Sequence, residues 1–189
     1  MARGIITKRG LTRDVLLGLA TVGVMIIAGG SPYFYRQAVR KLFKETSKKL
    51  ARARARKIAE LQKRKLISFQ ELGNGTVRVE LTHQGKKLVR LYNLEDMKLK
   101  VPKRWDGWWR IVMYDIPTGQ KRASNAFREK IRSLGLYQLQ RSVWVSPYEC
   151  LAEIEFLCTV FEINIDNCVY YFRAKEIPLE REIRASFHL

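Results

Sequence analysis

The chain has 189 residues, enough for one or two small domains with cores of their own. It is 47% apolar, which excludes a disordered chain, and carries a formal net charge of +18. Residues 1–104 hold 25 Lys or Arg against 7 Asp or Glu, whereas residues 105–189 hold 11 against 11. A strongly basic half joined to a neutral one predicts a polyanion partner for the first, with duplex DNA ahead of an anionic membrane surface.

In chain order, residues 15–30 are the most apolar segment, and the uncharged run reaches Tyr35. A membrane anchor through residues 15–35 is the less favoured reading. The Gly29-Gly30-Ser31-Pro32 stop leaves about fifteen helical residues, roughly 22 Å at 1.5 Å per residue, short of a hydrocarbon core of about 30 Å. A buried first helix is expected instead, capped by Thr12 or Asp14. Residues 33–45 restart a helix with Tyr33, Phe34, Val39, Leu42 and Phe43 inward and Arg36, Arg40, Lys41 and Lys44 outward. After an interruption at Thr46-Ser47, with Ser47 as N-cap, residues 48–65 form a very basic helix. Its expected inner stripe is Leu50, Ala53, Ile58 and Leu61.

Lys48, Lys49, Arg52, Arg54, Arg56 and Lys57 crowd the start of that helix. Cations there oppose the helix dipole, a local cost that a phosphate backbone would offset. These six, with Arg78, are the expected DNA-binding residues. Helix, break and basic helix form a helix-turn-helix pattern. Two strands, residues 66–72 and 76–81, flank Gly73-Asn74-Gly75 and predict a hairpin wing. A closing helix follows to about Met97, with His83 near its start. Residues 12–98 are thus expected to form a winged helix-turn-helix domain. The Leu81-Thr82-x-x-Gly85 phrase after the wing resembles bacterial winged-helix regulators.

After a linker at 99–107, Ile111, Val112 and Met113 form a buried strand that ends on Asp115 before a Pro117-Thr118-Gly119 turn. Residues 120–134 predict a helix with Ala123, Phe127, Ile131 and Leu134 inward, ended by Gly135. Strands at 136–140 and 142–145, a helix at 149–161 and a strand at 167–173 complete a βαββαβ, ferredoxin-like order. The fold class is therefore α+β, with the second domain over residues 105–176 and a tail at 177–189. Cys150, Cys158 and Cys168 have no metal-type spacing and read as small buried hydrophobes in a reducing compartment. The expected location is cytoplasmic.

Tyr114-Asp115-Ile116-Pro117, Arg122, and the run from Leu134 through Gln138, Ser142-Val143-Trp144 and Ser146-Pro147-Tyr148 closely resemble the central domain of PaaX-like transcriptional repressors. They are similar, more distantly, to the small CRISPR-associated nuclease that partners the spacer integrase. The first resemblance implies a DNA-binding repressor that dimerises through its ferredoxin-like half. Full-length members carry a further C-terminal domain, whereas the chain stops at Leu189, which puts the acyl-CoA sensing implied by the resemblance in doubt. The second resemblance implies a metal-dependent nuclease or spacer-adaptation subunit, in which Asp115 binds Mg²⁺ across a dimer and Arg122 assists. One carboxylate per chain makes a poor magnesium site unless a second copy contributes its own. The preferred expectation is a regulator with no catalytic residues and no cofactor, since few basic groups are evident near Asp115. The simpler role for Asp115 is to cap the helix at Gln120 or bond the turn amides.

Overall fold

The computed structural model describes residues 8–29, 34–43 and 47–189, which fall into two compact units, Met1–Asn93 and Leu94–Leu189. In the first, α1 (Lys8–Val22) begins earlier than expected. Thr12 and Asp14 therefore lie inside the helix, and neither caps it. Thr12 is buried, while Asp14 reaches the Arg54 guanidinium at 3.7 Å.

The apolar run of residues 15–30 is not one helix. Gly23, at φ +74°, breaks it, and its N–H bonds the Leu19 carbonyl. A left-handed turn at this point is open to glycine at little cost. The chain then extends as β1 (Val24–Ala28). Gly29 is bonded to the Gly75 carbonyl rather than ending a helix. The rest of the expected stop, Gly30-Ser31-Pro32, lies outside the described residues, as do Tyr33, Lys44 and Thr46. No described helix is long and apolar enough to cross a membrane. Val15, Leu16 and Leu19 of α1 are fully buried in the core of this unit.

α2 (Phe34–Leu42) and α3 (Lys48–Lys63) follow, and the Ser47 side chain accepts from Leu50 N at the start of α3, as expected. β2 (Ile67–Leu72) and β3 (Thr76–Leu81) form the hairpin, and β1 adds to its other side, giving the antiparallel order β1-β3-β2. Met25 faces Val79 and Ile27 faces Val77 in the register, so alternate residues of β1 complete the core beneath the wing.

Thr82 explains the Leu-Thr-x-x-Gly phrase physically. Its hydroxyl accepts from Gly85 N at 3.1 Å, capping α4 (His83–Asp96), and donates to the Lys65 carbonyl at 2.7 Å. Gly85 lies against the Leu66 carbonyl so closely that a Cβ there would sit 2.1 Å from that oxygen. This unit is a winged helix.

The second unit is built on a four-stranded antiparallel sheet, order β5-β6-β4-β7, from β4 (Trp109–Tyr114), β5 (Tyr137–Gln140), β6 (Val143–Ser146) and β7 (Val169–Ala174). With α5 (Lys121–Ser133) after β4 and α6 (Leu151–Phe161) after β6, this is the ferredoxin-like arrangement. Phe127, Ile131, Ile154 and Leu157 of the two helices bury against Val112, Tyr114 and Trp144. A short α7 (Ile165–Cys168) occupies the start of the strand expected from residue 167. Cys150, Cys158 and Cys168 are free and buried, and burial pushes the Cys150 thiol up to about 12 and the Cys158 thiol up to about 11.

Two expectations change here. Met113 is exposed, so β4 is not buried along its whole length. The stretch 177–189 is not a loose tail either. α8 (Glu180–Phe187) lays a fully buried Ile183 against Trp109, Ile111 and Val145, on the sheet face opposite α5 and α6. The end of β4 is held by Arg110, which is itself buried. It donates to both Asp106 carboxylate oxygens, at 2.7 and 2.6 Å, and to the Trp108 and Pro147 carbonyls.

Candidate nucleic-acid interface and the Asp115 cleft

α3 sorts its basic residues by helical phase. Ile58 and Leu61 face the core, so the residues one turn before them, Arg54 and Lys57, are drawn to the same side. Lys57 is 8% exposed and donates to Glu60 at 2.6 Å. Arg54 pairs with Asp14 and stacks on the Phe43 ring, 4.0 Å from its centre. Both are therefore held within the unit, contrary to their expected place on the DNA-facing side. Ala55 is also buried, whereas Leu50 and Ala53 of the expected inner stripe are only half-buried.

Lys48, Lys49, Arg52 and Arg56 are exposed on α3. Three of these four cations lie on the first half of one helix, with Arg56 just past its middle, and the helix has no acidic residue in its first turn. Arg78 is not at the tip of the wing. It lies mid-strand in β3, opposite Ile26 and Gln70, and pairs with Glu80 at 3.1 Å. It is less free than the α3 cations.

Asp115 follows β4, and its backbone N–H bonds the Cys168 carbonyl at 2.8 Å. Among the described residues its carboxylate takes no hydrogen bond and no ion pair, and the N-cap at Gln120 has no side-chain partner. Capping of that helix is therefore not its role. Asp115 instead lines a cleft of about 540 Å³ together with Lys121, Arg128 and Arg141. The expectation of few basic groups nearby is overturned. The three cations are separated in sequence, and only the fold assembles them: Lys121 and Arg128 from α5, Arg141 from the β5–β6 turn. The signal that was present is the i, i+7 spacing of Lys121 and Arg128 on one helix face.

Tyr114 positions one of these groups. Its ring is buried edge-on against Phe127, and its hydroxyl accepts from Arg128 Nε at 3.2 Å. Arg122, the expected partner of Asp115, does not line this cleft. It borders a neighbouring depression with Phe161 and Glu162. The residues also fit a resident Mg²⁺ poorly. Asp115 is the only carboxylate lining the cleft, and among the described residues no group of three or more His, Cys, Asp or Glu is placed to hold a metal. Three cations around a single carboxylate disfavour a dication there.

Residues 102–185 match the family model described as the PaaX protein central Cas2-like domain. No curated protein sequence matches the chain. The matched span covers the whole ferredoxin-like sheet, both helices on its inner face and most of α8. The C-terminal half of the chain therefore belongs to the PaaX central Cas2-like domain family.

Proposed function

We propose that the chain is a DNA-binding transcriptional regulator of PaaX type, with the winged helix engaging duplex DNA and the ferredoxin-like unit forming a homodimer. The observation that carries this reading is the division of labour on α3. Arg54 and Lys57 anchor the helix, while Lys48, Lys49, Arg52 and Arg56 stand exposed on it. Exposed cations near the start of the second helix of a helix-turn-helix suit phosphate and base-edge contacts. Homodimerisation is supported by an apolar row on the sheet face shared with α8. Met113 and Tyr170 are register partners there, Phe172 lies beside them, and all three are exposed. A symmetric pair would set half-site spacing.

The test is a salt titration of the wild type and of Lys49→Gln/Arg52→Gln/Arg56→Gln. It is run on random duplex and on the region upstream of the chain's own gene. Gln keeps helix propensity close to that of Lys and Arg. The triple variant should bind more weakly, and the slope of log affinity against log salt should lose roughly 0.9 per phosphate contact removed. Equal affinities and slopes for two folded proteins would remove α3 as the DNA-reading element, leaving anionic lipid as the leading partner.

A metal-dependent nuclease is the second reading, favoured only by the Asp115 carboxylate in the cleft, and it needs a second copy's carboxylate to offset the cations there. It requires a Mg²⁺-dependent cleavage activity that disappears in Asp115→Ala. The regulator reading expects that variant to bind DNA as the wild type does and no such cleavage to be found.

A further inference from the structure

The Asp115 cleft has a charge pattern that neither the fold nor α3 uses. Lys121, Arg128 and Arg141 line it with Asp115, and among the described residues no ion pair joins any of the four. Such groups ordinarily neutralise one another at short range when nothing else is required of them. Here the Arg128 Nε is taken by the Tyr114 hydroxyl, which leaves its two terminal nitrogens for a ligand. Thr118, Ser124 and Ser142 add three hydroxyls to the same walls. The cleft, about 540 Å³, is large enough to take a small molecule.

We propose that this cleft binds a phosphomonoester carried on a hydroxyl-bearing body, the class of sugar phosphates and mononucleotides. Three cations less one carboxylate leave an excess of two positive charges, which matches the charge of about −2 on a phosphomonoester near neutral pH. A phosphodiester inside a nucleic-acid strand carries about half that charge and matches less well. The guanidinium of Arg128 offers a planar pair of donors suited to phosphate oxygens. Asp115 faces the same cavity and accepts hydrogen bonds only, so it selects ligands that place a hydroxyl near the phosphate. The first turn of α5 holds Lys121 and Arg122 with no acidic residue, and an anion beside it complements the helix dipole. This site is separate from the cations of α3 and does not depend on DNA binding.

The experiment is calorimetric titration of the full chain with ribose 5-phosphate, ribose and inorganic phosphate. Ribose 5-phosphate should bind, inorganic phosphate should bind at least about tenfold more weakly, and ribose should not bind. Lys121→Gln/Arg141→Gln changes two exposed residues and should weaken ribose 5-phosphate by more than about tenfold. Asp115→Ala, which removes both the charge and the acceptor, should tighten inorganic phosphate and abolish the preference for the sugar phosphate. The proposal is overturned if ribose 5-phosphate gives no binding at millimolar concentration. It is overturned equally if the double variant binds as the wild type does, or if ribose matches its phosphate. An oligonucleotide without a terminal phosphate is the last arm. If it bound more tightly than ribose 5-phosphate and lost that binding in the double variant, the cleft would be a strand site instead.

Discussion

The Arg54 guanidinium stacks on the Phe43 ring, 4.0 Å from its centre, and so joins α3 to the end of α2. Phe43 in turn packs over Gly18 of α1, where a Cβ would lie 3.1 Å from the ring. One cation thus helps to hold three helices in register. Arg54→Gln should destabilise the winged helix by about 1 kcal/mol, from the loss of the cation–π contact and of the half-exposed Asp14 pair. Arg52→Gln and Arg56→Gln should stay within about 0.5 kcal/mol of wild type. Urea unfolding followed by circular dichroism measures all three, and equal midpoints would remove the anchoring role given to Arg54.

Gly85→Ala should be among the most damaging small changes in this unit. The new methyl would meet the Leu66 carbonyl oxygen, a backbone atom that cannot turn aside. The expected cost is about 1–3 kcal/mol, toward the upper end because α4 must move bodily. Gly73→Ala is the control, since its Cβ would meet nothing within 4 Å. Thermal unfolding that shifts equally for the two variants would show that the close approach is not needed.

The order of elements was legible from periodicity and turns, most clearly where one face of a helix is apolar, as in Phe127 and Ile131 of α5. β1 was hidden because Val24 to Ala28 are apolar on both faces, so no alternation marks the strand. Gly23 was the one local sign of a break. The sorting of α3 was legible in principle, since Arg54 and Lys57 lie four residues before Ile58 and Leu61. A count of charges alone conceals that phase. The cationic cleft was not legible as a whole, because Arg141 reaches Asp115 only when β5 and β6 pair beside β4. α8 was missed because only Ile183 is fully buried on it and Phe187 half-buried against Trp109 and Tyr148, too few apolar positions to mark a helix face.

Ile183 therefore makes a sharp test of the C-terminal unit. It is fully buried against Trp109, Ile111 and Val145. Ile183→Ala should cost about 2–5 kcal/mol, from the lost transfer free energy and the cavity left behind. All four tryptophans, Trp105, Trp108, Trp109 and Trp144, belong to this unit, so their fluorescence follows its unfolding. An unchanged fluorescence transition in Ile183→Ala would return α8 to the status of a dispensable tail.

The acid limb of the same transition depends on Asp106 and Arg110. The hydrogen-bonded Arg110 guanidinium lowers the Asp106 carboxyl to about 2, and Asp106 in turn raises Arg110 above its ordinary range. Because the folded value of Asp106 lies below its ordinary 3.8, the pair stabilises the fold fully above that value. That contribution is lost as pH falls from there through about 2, since protonated Asp106 no longer faces Arg110 as an anion. Asp106 is half exposed, so solvent screens the pair and limits its size. Glu149 contributes in the same direction, held low first by the Tyr171 hydroxyl at 2.5 Å, then by the Leu151 backbone N–H and by Arg110. Asp106→Asn should lower stability at neutral pH and flatten its decline between about pH 4 and pH 2. Tyr171→Phe should flatten it less, because the Asp106 pair stays intact. Tryptophan fluorescence during urea unfolding at stepped pH gives these slopes directly. If Asp106→Asn declined as steeply as the wild type, the acid sensitivity would belong to other carboxylates, and the buried Arg110 would owe its placement to the Trp108 and Pro147 carbonyls instead.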